Sequence, residues 1–219
     1  MTLADLFGRL REQRSGIAMT EFALATPFLM IAGLGGIEVA NYSVATMKIG
    51  QVAIQIADNA SRIGDYSTLS NRKIYESDID DLLIGANLHA GSQMGLFANG
   101  RIIISSLEFN TSGNMQYIHW QRCMGAKRVT SSYGVTGDQF AVGMGPTGRE
   151  VYAGTNEAVM FVEVQYDYQP LVGSAVIGRP TLSSIASFTV RSSRDLTQIY
   201  QTTPASPAMT CNKYTSTLS

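Results

Sequence analysis

The residue types that could do chemistry are few, and their spacing limits what they could do. Gly143-Met-Gly145-Pro-Thr-Gly148 fits the letter of a G-x-G-x-x-G phosphate loop. A dinucleotide site needs that turn between a strand and a helix, with an acidic residue about twenty positions on. Pro146 and the glycines predict a loop here, residues 149–155 open no helix, and Glu163 falls inside an alternating strand pattern. His89 and His119 stand apart, no G-x-S-x-G occurs, and Cys123 has no Cys-His-Asn framework. Cys123 and Cys211 form no C-x-x-C pair, and His119 is the one nearby partner of Cys123, short of the roughly four ligands of a zinc site. Asp78, Asp80 and Asp81 lack the glycine and distal glutamate of a calcium loop. They are expected at the positive end of a helix over 77–89, capped by Ser77. These readings predict no catalytic residue, no metal, no cofactor and no enzyme.

Charge narrows the partners. Formal net charge is -1, so no global basic field exists for nucleic acid. Arg122, Lys127 and Arg128 make a small basic group near Tyr117 and Trp120, expected on a solvated loop. Charged residues make up 15% of the chain, well below the ~25% of ordinary soluble domains.

The unusual carboxylate is Glu21. Residues 1–16 are polar and include Arg9, Arg11 and Arg14. The 21 residues from Ile17 to Ile37 then carry Glu21 as their single charge. At about 1.5 Å per residue that stretch spans roughly 30 Å, enough to cross a bilayer. Arginines before the span, and none until Arg62 after it, predict a cytoplasmic N-terminus and an extracytoplasmic remainder. A secretory signal is the competing reading, with Ser43-Val-Ala45 as a small-residue cleavage site and a start near Thr46. Its apolar run would be longer than usual, and it gains nothing from a carboxylate that costs several kcal/mol in hydrocarbon unless paired.

Gly16, then Ile17-Ala-Met-Thr-Glu21, resembles the processing site of type IV prepilins. The longer run Glu21-Phe-Ala-Leu-Ala-Thr-Pro27-Phe-Leu, followed by Gly36-Ile37-Glu38, resembles the TadE-like pseudopilins of the tight-adherence (Flp-type) pilus system. That likeness covers about residues 14–64, with Ala57-Asp-Asn-Ala-Ser-Arg62 in the place of the family's alanine-rich helix end. A looser echo lies in Val162-Glu-Val-Gln-Tyr-Asp-Tyr-Gln-Pro-Leu171 and in Phe188-Thr-Val-Arg191.

The resemblance implies a non-enzymatic minor pilin or pseudopilin. Gly16, Ile17 and Glu21 would form the processing site, cut by a prepilin peptidase after Gly16, although some related proteins keep their anchor. Glu21, Pro27 and Glu38 would serve assembly, Glu21 by pairing with the N-terminal amine of a neighbouring subunit. Implied partners are other pilins or pseudopilins, pilus-assembly membrane proteins, the peptidase and the lipid bilayer. A permanently anchored envelope protein that binds a partner or surface is the other reading, beside the secreted one.

The expected architecture is α+β. A leader over 1–16 precedes a transmembrane segment over 17–37, an amphipathic extension over 38–62, and an extracytoplasmic domain over 63–219 with an irregular tail after Thr202. Pro27 should kink or loosen the inner helix. Ile37, Val44, Met47, Ile54 and Ala57 fall near one helical face, expected to lie on the domain. Strands are expected over 101–109, 115–122, 158–168 and 184–192, the first two joined by a hairpin loop at Asn110-Thr-Ser-Gly-Asn114. Met160, Val162, Val164, Tyr166 and Tyr168 make the core face of the third. Outside the cytoplasm, Cys123 and Cys211 would most simply bridge; two unrelated cysteines is the alternative.

Overall fold

The computed structural model describes residues 15–65, 71–174 and 176–217. The fold is α+β. Its elements are α1 (Ser15–Ala60), α2 (Glu76–Ala90), α3 (Leu96–Asn99), β1 (Gly100–Asn110), β2 (Met115–Met124), β3 (Gln139–Phe140), β4 (Ala158–Asp167) and β5 (Thr181–Thr189). The chain divides into two compact units. One contains the helix up to Ser43 and the segment Pro170–Gly178; the other contains Val44–Gln169 and Arg179–Ser219. Most of the expected leader, including Arg9, Arg11 and Arg14, lies outside the described residues.

In the first unit, Phe22, Leu24, Phe28, Leu29 and Ile31 are all exposed. Among the described residues, α1 is the one helix long and apolar enough to cross a membrane. Pro27 lies inside it without interrupting it. Proline has no N–H for the preceding turn. One residue earlier, the Thr26 hydroxyl donates to the Phe22 carbonyl at 2.6 Å.

In the second unit, five antiparallel strands run in the order β3-β2-β1-β4-β5. The hairpin between β1 and β2 turns where expected. Asn110 Oδ1 accepts the N–H groups of Ser112 and Gly113, and Asn114 takes the left-handed conformation at φ 50°. β5 starts and ends three residues earlier than expected, at Thr181–Thr189.

Both faces of the sheet are covered, which corrects the one-sided expectation for β4. Met160, Val162 and Val164 are buried as predicted, and Val159, Phe161 and Glu163 are buried too. Val159 and Phe161 join Leu107, Ile118, Met144 and Ala153 in a second core, with Tyr133, Phe140 and Val151 packed on it. The long loops between β2 and β4 supply that cover.

The face of α1 also differs from expectation. Its buried side is Ala45, Ile49, Val52, Ala53, Ile56, Ala57 and Ala60. Of the expected face only Ala57 is buried; Val44, Met47 and Ile54 are 46–58% exposed, and Ile37 is exposed as well. Small residues let the helix backbone come close to its support: a Cβ added at Gly50 would lie 4.0 Å from Ser184 Oγ of β5. The helix ends at Ala60, where the buried Arg194 guanidinium donates to the carbonyls of Ala60 at 3.0 Å and Ile63 at 2.8 Å. A cation there satisfies orphan carbonyls and opposes the negative helix end. Burial, reinforced by Arg72, lowers the Arg194 pKa to about 10.

Helix α2 starts before Ser77, so the expected cap is displaced. The Asp78 carboxylate accepts the Tyr75 N–H at 2.9 Å, and Asp80 turns inward and is buried.

Candidate functional site

Gly16, Ile17 and Glu21 lie in the first two turns of α1, all exposed. A peptide bond after Gly16 is therefore flanked by apolar helix surface with one carboxylate a little more than a turn away. Glu38 lies on the same helix 17 residues beyond Glu21, about 25 Å along the axis. Glu21, Pro27 and Glu38 thus occupy separate levels of one rod and do not converge.

Glu38 is fully buried. Its Oε2 accepts the Leu171 N–H at 3.0 Å and the Val172 N–H at 2.8 Å. Two successive backbone donors on one carboxylate oxygen are charge-assisted bonds, the stronger kind. The arrangement anchors a loop and supplies no general acid or base to a cleft. Sequence reasoning singled out Glu38 but missed Leu171 and Val172 as its donors, since nothing local links positions so far apart.

The residues weighed for enzymic chemistry take structural positions. Gly143 to Gly148 form a loop, as expected. Met144 pairs with Val151 across it, and a Cβ at Gly143 would lie 2.2 Å from the Val151 carbonyl oxygen. His119 is the extra residue of a bulge between Ser106 and Leu107, where the β1–β2 register shifts. Bulges re-aim side chains. The His119 ring nitrogen Nδ1 here meets buried Glu108 at 3.0 Å. Glu108 also accepts from Ser106 Oγ at 2.9 Å and from the Tyr117 hydroxyl at 3.1 Å. Burial, then the Glu108 charge, pushes the Tyr117 hydroxyl up to about 12. The Glu108 bond raises His119 against the opposing effect of burial. Both carboxylate oxygens are engaged, so this cluster fastens the hairpin. Alternation rules could not find it, because the bulge that aims His119 leaves no mark in the sequence.

The basic group is dispersed: Arg128 is exposed as expected, while Arg122 and Lys127 are largely covered and paired. Arg122 pairs with Glu76 of α2, Lys127 pairs with Asp167, and Arg128 lies 5.4 Å from the Tyr214 ring centre. Cys123 and Cys211 form a disulfide with Cα atoms 4.8 Å apart. Beside it, buried Arg101 donates to the carbonyls of Gly125 at 2.9 Å, Lys213 at 3.0 Å and Cys211 at 2.6 Å. Burial lowers the Arg101 pKa. The bonds to Lys213 and Cys211 hold the irregular tail to the sheet, and no local pattern in the sequence marks Arg101 for that role.

Asp80 carries a testable cost. Burial first, then the charges of Glu76 and Asp81, raise its pKa to about 6, and its Oδ1 is buried without a partner. A carboxyl raised in the folded state favours folding below its unfolded pKa, and that contribution is lost as pH rises through the folded value. Asp80→Asn should therefore gain roughly 1–3 kcal/mol at neutral pH, and little at pH 4, in urea titrations at the two pH values. Equal gains at both would contradict this origin.

No family model matches the chain, and neither a curated protein nor a solved structure matches it. The likeness to the TadE-like family therefore stands on the residues quoted above.

Proposed function

We propose that the chain is a non-enzymatic, pseudopilin-like subunit of a tight-adherence-type pilus assembly or secretion machine. The inner part of α1 holds it in the bacterial cytoplasmic membrane, with the N-terminus in the cytoplasm and the sheet-bearing unit outside. A prepilin peptidase removes the leader after Gly16, and the subunit assembles laterally with other pilins or pseudopilins.

One observation carries this reading. Beyond the apolar span, α1 buries one side in its own domain and leaves Val44, Met47 and Ile54 exposed on another. A helix whose work ended at anchoring would have no use for that stripe. A helix that packs beside a second helix would. Glu21 supports the same reading, since an exposed carboxylate in an apolar segment is costly unless a neighbour's amine meets it.

Glu21→Ala should leave the protein in the membrane and remove it from higher-order complexes. Val44→Ser with Met47→Ser should have the same effect without unfolding the domain. Crosslinking in cells followed by gel analysis reads both. Unchanged complexes in the two variants would refute lateral assembly through α1.

A further inference from the structure

We infer that the segment Pro170–Gly178 is a second membrane contact, a loop seated in the outer lipid interface beside the point where α1 leaves the bilayer. This rests on the reading of 17–37 as a membrane span. The depth follows from covalent geometry. Twenty-one residues of helix cover about the ~30 Å hydrocarbon thickness, which puts Glu38 at the outer boundary of the hydrocarbon. The Glu38 carboxylate holds the N–H groups of Leu171 and Val172 at 3.0 and 2.8 Å, so the loop is fixed at that level.

The chemistry of the loop fits that place. Its nine residues carry no charge, and Leu171, Val172 and Val176 are 68%, 40% and 50% exposed. Water is a poor solvent for three such neighbours, while the boundary between acyl chains and headgroups accepts them. Arg179 follows directly and is exposed, the residue type that reaches lipid phosphates at this level. Glu38 meanwhile satisfies two backbone donors that would be costly to leave bare near hydrocarbon. A contact at the rim of the span would fix how α1 is rotated in the membrane, a constraint that the helix alone does not impose.

The test uses the full chain in phosphatidylcholine–phosphatidylglycerol vesicles, with lipids brominated either high or deep on the acyl chains. Trp120 is the single native tryptophan, so the parent emission can be subtracted. Leu29→Trp reports the span, while Leu171→Trp and, independently, Val176→Trp report the loop. The expected result is strong quenching by deep bromines at position 29. At positions 171 and 176, emission should be blue-shifted and quenched more by shallow than by deep bromines. Adding Glu38→Ala should reduce quenching at 171 and leave 29 unchanged. Quenching at 29 with none at either loop position overturns the loop contact and leaves the span intact. No quenching at 29 overturns the span and the loop contact with it. A blue shift at 171 that depends on protein concentration and ignores bromine means that a second copy covers the loop, and also overturns the inference.

Discussion

Replacing Cys123 with serine should destabilise the sheet-bearing unit by about 4–5 kcal/mol, the loss expected when a loop of nearly ninety residues is no longer closed in the unfolded chain. The bridge spans 88 residues and ties the tail to β2. Neighbouring bonds depend on the same juxtaposition. The Cys123 N–H donates to the Met209 carbonyl at 2.7 Å, and the Gly125 N–H donates to the Thr215 carbonyl at 3.0 Å. Met209 is fully buried there. Without the bridge, the tail is left to these bonds, the burial of Met209, and the contacts of Arg101 and Arg128. The check is a urea titration followed by Trp120 fluorescence. A reducing agent should lower the parent's midpoint to that of Cys123→Ser and leave the variant unmoved. A parent insensitive to reductant would show that the bridge contributes nothing.

Arg122→Met should cost about 3–5 kcal/mol, the usual penalty for stranding one member of a buried ion pair. The two side chains are 14% and 5% exposed, Arg122 and Glu76 respectively. Arg122 Nε donates to Glu76 Oε2 at 2.9 Å, and Nη2 donates to Oε1, so the pair is bidentate. It fastens the first turn of α2 to β2. Removing the guanidinium leaves a buried carboxylate close to Asp80, whose own carboxyl the Glu76 charge already raises. Adding Glu76→Gln should therefore recover most of the loss, because the uncompensated charge goes with it. The same urea titration measures single and double variants. A double variant no better than Arg122→Met would place the cost in lost packing instead.

What could be read in advance follows the range of the physics involved. The 21 residues from Ile17 to Ile37 announce their helix by composition alone, and the β1–β2 hairpin announces itself through Asn110 to Asn114. Both are local. The face of α1 differs from expectation because this part of the helix carries two apolar stripes at helical spacing, and periodicity does not say which one meets the domain. The buried stripe is Ala45, Ile49, Val52, Ala53, Ile56, Ala57 and Ala60, whose alanines shorten the approach, while Val44, Met47 and Ile54 stay outward. The second core was missed because loops between β2 and β4 cover it, and loop placement has no period. Glu76 meets Arg122 across 46 positions, and Glu38 meets Val172 across 134. Such pairs have no signature at short range. In the candidate site, Glu21 was legible as a carboxylate out of place and Glu38 only through the family resemblance, and the fold assigns Glu38 its loop.

The mature N-terminus of the protein isolated from membranes tests the central claim most directly. Terminal sequencing or intact mass should give a chain that begins at Ile17, and Gly16→Leu should restore the full-length mass. A chain that still begins at Met1, or one that begins near Thr46, would contradict the assignment as a processed pseudopilin.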